Sequence, residues 1–252
     1  MTNHELTAES PSPPTEAVLF DYTTCADAPL NYPAFKLIAP VNNSSEVLLN
    51  LPEGPWSTLD KALPDATQQQ ALINRGYTLD SKGRPLHPRL NEMIRPENGG
   101  VFTGKGMFYH WGPNYTGDPI IITEGPNPKI ALIKRKDNGQ WGFAGGFVDP
   151  ADGSDPITAG TNAAVREAFE ELGLDVFNLK PLLVCQVVVD DFRATAHAWP
   201  ETTAVLLRPN KAEKLTPDYN EVLDAQWFPL EAAPKILHGS HGALLTEALK
   251  LL

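Results

Sequence analysis

Hydrophobic and polar positions are irregular in the first half of the chain, and the pattern sharpens after residue 118. Residues 119–123 and Lys129–Arg135 read as strands, separated by a turn at Gly125-Pro126-Asn127-Pro128. Asp137-Asn138-Gly139 marks a tight turn, and residues 141–148 the next strand. Between Asp155 and Leu172 the spacing becomes that of a helix. Asp155 suits the N-cap, Pro156 the first helical position and Gly173 the C-terminal stop. Residues 181–190, 202–207 and 225–228 are again strand-like, and 242–252 form a closing helix. Strands, helix, strands, helix predicts an α+β protein, an α/β/α sandwich around a mixed sheet.

The upstream half is less regular. Residues 1–16 are polar and proline-rich and read as a flexible tail. Residues 17–100 read as a small β-rich N-terminal module. Its apolar pieces, such as 34–38 and 47–49, are broken by Pro, Gly and Asn. One helix is expected over residues 65–75, with Asp65 as N-cap and Gly76 just past the end. Residues 91–118 look loop-like because of their six glycines (Gly99, Gly100, Gly104, Gly106, Gly112 and Gly117). Residues 101–252 read as the second domain.

Composition narrows the function. With 42% hydrophobic and 20% charged residues over 252 positions, the chain can bury a substantial core. Its net charge of -11 and pI near 5.0 disfavour a broad nucleic-acid surface. A phosphorylated small molecule is still allowed, because a bound cation reverses local charge. Two cysteines, Cys25 and Cys185, make no disulfide framework. The longest apolar stretches, such as 182–189, are far short of the ~20 residues of a membrane helix. A cytoplasmic protein is expected, monomer or homodimer, with neither membrane nor nucleic acid as partner.

The candidate chemistry lies on the helix. Glu167, Glu170 and Glu171 sit at i, i+3 and i+4 and so project together. Their repulsion would be answered by a hard cation such as Mg²⁺, or Mn²⁺ in its place. Ala164, Val165, Ala168, Phe169 and Leu172 form the opposite face, which would pack on a sheet. Taken alone, such a stripe is better explained by a solvated amphipathic helix. Ahead of it, however, stands Trp141-Gly142-Phe143-Ala144-Gly145-Gly146-Phe147-Val148-Asp149-Pro150. Paired glycines at a strand end let a ligand approach the backbone.

The composite resembles the Nudix hydrolase family, whose motif is a glycine, five residues, a glutamate, seven residues, then REUxEExGU with U aliphatic. Arg166-Glu167-Ala168-Phe169-Glu170-Glu171-Leu172-Gly173-Leu174 matches the second half, and Gly146 fits the leading glycine. The first half departs from the pattern. Gly146 lies twenty residues before Arg166 instead of fourteen, so about six are inserted. Counted back from Arg166, Thr158 occupies the place of the first glutamate, and Asp152 or Asp155 would stand in for it. Further segments resemble ADP-ribose pyrophosphatases of the human mitochondrial type. They are His110-Trp111-Gly112-Pro113-Asn114, Asp118-Pro119-Ile120-Ile121, Val189-Asp190-Asp191-Phe192-Arg193, Ala198-Trp199-Pro200-Glu201-Thr202 and Ser240-His241. The same fold serves as the ligand-binding domain of an ADP-ribose-gated cation channel.

The resemblance implies a Mg²⁺-dependent hydrolase that cleaves ADP-ribose to AMP and ribose 5-phosphate. Alternatives are another nucleoside diphosphate substrate (NADH or a sugar nucleotide) and a silent ADP-ribose-binding regulatory domain. It implies Glu167, Glu170 and Glu171 as metal ligands, with the Gly146 carbonyl. Arg166 would orient the glutamates, or be a surface partner of Glu170. Glu201 would be an outer ligand or general base, and Arg193 a phosphate contact beside Asp190. Trp111, Asn114, Asp118 and Phe147 are candidate substrate contacts, with a core role equally open for Trp111. The inserted residues, 152–161, are expected to form a loop near the diphosphate.

Overall fold

The computed structural model describes residues 37–38, 48–49, 63–90, 104–105, 108–191, 193–237 and 240–252. The expected tail, and the expected domain boundary at residue 100, lie outside them. The chain divides into two compact units. Of the described residues, those up to Asn114 together with Asp191–Trp199 form the first, and Tyr115–Asp190 with Pro200–Leu252 form the second.

In the first unit, β1 (Leu37–Ile38) and β2 (Leu48–Leu49) pair antiparallel. Helix α1 (Ala66–Asn74) begins at a capping box: Gln68 N–H donates to the Asp65 carboxylate, and Asp65 N–H to the Gln68 side chain. Gly76 follows the helix at φ 89°, in the conformation that favours glycine. Trp199 is fully buried, with the rings of Tyr77 and His87 edge-on to it at 5.5 and 5.0 Å.

Two longer strands, β3 (Gly112–Ile121) and β8 (Ala198–Leu207), run side by side. Gly112 N–H donates to His197 O and, ten residues on in both strands, Ile122 N–H donates to Leu207 O, so they are parallel. Around them β6 (Gly146–Phe147) and β7 (Leu182–Val188) pair antiparallel, giving the order β6-β3-β8-β7. A second sheet orders β5 (Trp141–Gly142), β4 (Lys129–Arg135) and β9 (Val222–Pro229) as β5-β4-β9. The expected mixed sheet is therefore present, split in two.

Period-2 alternation builds the layers of the second unit. Ile121, Ala131, Ile133, Val205 and Leu207 face one way and pack with Ala164, Ala168 and Leu172 of α2 (Pro156–Leu172). Their alternates Ile120, Ile122, Ile130, Leu132, Ala204 and Leu206 face the other way and pack with Leu244, Leu245 and Ala248 of α3 (His241–Leu249). A helix lies on each face, which is the α/β/α sandwich. Gly117 and Gly160 let α2 approach the sheet: a Cβ on Gly117 would overlap the Gly160 carbonyl and the Ala164 amide, and one on Gly160 the Thr203 side chain.

Some expectations need correction. β3 starts at Gly112, inside the stretch read as loop, because its glycines serve close packing as well as turns. Residues 141–148 are not one strand. Gly142 pairs with Ile133 in one sheet and Gly146 with Gly117 in the other, so the chain crosses between sheets at Phe143-Ala144-Gly145. The inserted residues form no long loop. A 3-10 turn (Pro150–Asp152) leads directly into α2, and most of the extra length is helix.

Candidate active site

Helix α2 starts and stops where its sequence dictates. The Asp155 carboxylate accepts from Thr158 N–H at 2.9 Å, Pro156 occupies the first turn and Gly173 closes the helix at φ 64°. Its buried face is centred on Ala164, Ala168 and Leu172. Ala163, Glu167 and Glu171 follow one another at i, i+4 and i+8 beside that stripe. Glu167 and Glu171 are therefore buried, each only 8% exposed. Glu170 lies a further step round the helix, and its side chain is 45% exposed. The acidic residues are thus not one solvated face opposite a buried one. Phe169, expected in the core, is 51% exposed and packs on the Phe177 ring instead, while Val165 is half-buried at the core's edge.

The loop between the sheets meets these carboxylates. Gly145 N–H donates to Glu171 Oε2 at 2.8 Å. A Cβ on Gly146 would overlap the Glu167 carboxylate, so a side chain there would displace that carboxylate. A third carboxylate arrives from far along the chain. Among the described residues, ligand oxygens of Glu167, Glu171 and Glu221 lie within 4.8 Å of one another. Glu221 is exposed and immediately precedes β9. Nothing in the spacing of the sequence links it to the helix, and its proximity is a product of the tertiary fold. Glu170 and Glu201 are not members of this cluster.

Burial dominates the titration of the pair. It pushes Glu171 up to about 8, aided by the charges of Glu167 and Glu221 and opposed by the Gly145 amide and Arg135. It pushes Glu167 up to about 7, against the Arg166 charge and hydrogen bond. Protons or a cation must compensate carboxylates packed this closely away from water. An all-oxygen donor set suits a hard divalent ion.

Arg166 organises the surroundings. Its guanidinium donates to Glu167 Oε1 and Glu170 Oε2, both at 2.7 Å, to the Phe147 carbonyl at 2.9 Å and to Asp152 at 3.0 and 3.3 Å. Asp152 is buried. Burial opposes its ionisation, but Arg166 and the Asp149 N–H outweigh that and hold its carboxyl below the usual range. Of the two stand-ins expected for the missing glutamate, Asp152 pairs with Arg166, whereas Asp155 caps the helix. Asp118 receives the Thr202 hydroxyl at 2.6 Å and lies against Gly145. Burial pushes its carboxyl up to about 6.

The remaining expected residues are placed as follows. Phe147 is half-buried, and its carbonyl is held by Arg166. Glu201 stands on β8 opposite Val188, and Asp190 is exposed just after β7. Trp111, Asn114 and Arg193 belong to the first unit. There the buried Asn114 amide ties His110 and Gly112 backbone groups together. Arg193 pairs bidentately with Asp191 at 2.6 and 2.9 Å, with its guanidinium 5.5 Å from the Phe108 ring centre. Phe192 lies outside the described residues. No helix among the described residues is long and apolar enough to cross a membrane.

Residues 117–248, just over half of the chain, match the NUDIX domain model. The chain is 35% identical over 168 residues to the mitochondrial ADP-ribose pyrophosphatase of Rattus norvegicus, covering 56% of this chain and 45% of that protein. It is 26% identical over 211 residues to a transient receptor potential cation channel subfamily M member-like 2 of Nematostella vectensis, covering 73% of this chain and 13% of the channel. It thus spans less than half the length of these curated relatives. Among solved structures, the NUDIX domain of Shewanella oneidensis NrtR, complexed with ADP ribose, is 19% identical with a TM-score of 0.46, covering 65% of this chain and 96% of that one. With a NUDIX match over most of the second unit, this chain belongs to the Nudix hydrolase family.

Proposed function

We propose that the protein hydrolyses the diphosphate bond of ADP-ribose to AMP and ribose 5-phosphate, with Mg²⁺ held by Glu167, Glu171 and Glu221. The observation that carries this is the carboxylate cluster, two of its three members buried, at the Gly145-Gly146 turn. The rat relative's name supports the choice of ADP-ribose. Mg²⁺, or Mn²⁺ in its place, would supply charge neutralisation of the diphosphate and acidify the attacking water.

The chain's own residues prepare that chemistry. Gly145 N–H fixes the orientation of Glu171, and Arg166 fixes Glu167. Gly146 leaves the space beside Glu167 free of a side chain. Glu170, tied to Arg166 on the exposed side, serves as an outer ligand or as an anchor for the arginine. Glu201 as general base, and Trp111, Asp190 and Arg193 as substrate contacts, belong to the same proposal.

The test is incubation of pure protein with Mg²⁺ and ADP-ribose, NADH or a sugar nucleotide, with products separated by chromatography. AMP formed faster from ADP-ribose than from the others is expected. AMP from none of them would sink the proposal. The match to a cation channel motivates a second reading, a non-catalytic ADP-ribose-binding module. Calorimetric binding of ADP-ribose without turnover would favour it.

A further inference from the structure

The Phe143–Gly146 segment is held from two sides. Gly145 N–H reaches Glu171. Two residues earlier, Phe143 N–H donates to His241 Nδ1 at 2.9 Å, across 98 positions of sequence. The imidazole stacks on the Phe143 ring with centroids 4.8 Å apart and planes at 23°. An acceptor at Nδ1 places the proton of the neutral ring on Nε2. The contact is tight, because a Cβ on Gly142 would come within 3.1 Å of Nδ1. His241 is the first residue of α3, whose Leu244, Leu245 and Ala248 anchor that helix in the core. The ring therefore projects from a rigid support onto a segment with little ladder pairing of its own, since Phe143 to Gly145 belong to neither sheet.

The geometry points to His241 as a positioning residue that sets the Gly145 amide against Glu171. It acts through the Phe143 backbone. Its importance for turnover rests on the proposed metal site, but its effect on the loop does not. Outer partners that orient metal-site ligands are worth about ten- to hundredfold in affinity or activity.

The test compares His241→Leu, which removes the acceptor, with His241→Asn, which restores an oxygen near the place of Nδ1. Amide hydrogen exchange at Gly145 is read by NMR on the metal-free full chain, and Mn²⁺ affinity by spin-probe titration. His241→Leu is expected to speed Gly145 exchange and weaken Mn²⁺ binding, each by roughly tenfold or more. His241→Asn is expected to recover most of both. Gly142→Ala, whose Cβ would press on the ring near Nδ1, is expected to shift the ring and serves as a second variant if His241→Leu does not fold. Unchanged Gly145 exchange in His241→Leu would overturn the inference, as would a His241→Asn variant as impaired as the leucine; if His241→Leu does not fold, unchanged exchange in a Gly142→Ala variant whose His241 ring is shown by NMR to have moved would do the same. Failure of the wild type to hydrolyse ADP-ribose would count against the proposed function and leave the exchange measurement decisive for His241.

Discussion

Replacing Glu171 by glutamine separates the cost of the buried carboxylate from its use. Glutamine keeps an oxygen to accept from Gly145 N–H, now at 2.8 Å from Glu171, and is nearly the same size. It removes a carboxyl whose folded-state value is raised from 4.5 to about 8. The folded protein holds that proton longer than the unfolded chain. Wild-type stability without metal therefore falls as pH rises through that window, whereas the glutamine does not titrate. At about 1.4 kcal/mol per pH unit, the full penalty is on the order of 5 kcal/mol. Glu167 lies against Glu171 and shares the proton equilibrium, so about 2–3 kcal/mol is expected near pH 7. For a chain of this size that is a rise of roughly 5–10 °C in melting temperature.

The assay is thermal unfolding of both proteins in EDTA and in millimolar Mg²⁺ at several pH values, with ADP-ribose turnover in parallel. Without metal, Glu171→Gln should melt above wild type at pH 7–8 and level with it near pH 4.5. With Mg²⁺ the wild type should gain and the variant gain less, since ligand binding stabilises only a competent site. Turnover should be largely lost. A variant that melts no higher than wild type in EDTA at pH 8, or that retains wild-type turnover, would refute the reasoning.

Three further outcomes are expected. Gly146→Ala should fold but lose most turnover, because its Cβ overlaps the Glu167 carboxylate; wild-type kcat would contradict this. Arg166→Ala leaves the buried Asp152 without its cation and should lower stability by about 1–3 kcal/mol, checked by urea denaturation, with Lys restoring only part of it. Glu221→Gln should weaken Mn²⁺ binding by about tenfold or more while metal-free stability holds or rises, because its charge repels the Glu167–Glu171 pair. Unchanged Mn²⁺ affinity would remove Glu221 from the site.

The ends of helix α2 were legible in the chain. Asp155, Pro156 and Gly173 are local signals, and a helix end depends on a handful of neighbouring residues. The alternation in Lys129–Arg135 was legible for the same reason. The glycines of 112 and 117 misled, since a glycine in a turn and one under a packed helix look alike in sequence. The break at Phe143-Ala144-Gly145 was hidden because pairing to two different sheets leaves no mark on the apolar pattern.

The sequence by itself determined that an acidic helix follows a Gly-Gly strand end in an α+β chain, and so the family. Those features are short in range, and their physics of capping, periodicity and glycine freedom acts between near neighbours. Only the tertiary structure decided which glutamates are buried together. It turned Glu167 and Glu171 toward Gly145-Gly146, left Glu170 exposed, and brought in Glu221 and His241 from distant segments. A helix's acidic residues share a stripe by spacing alone, but which of them lose water depends on where the sheet lies against the helix. That is a property of packing between segments far apart in the chain.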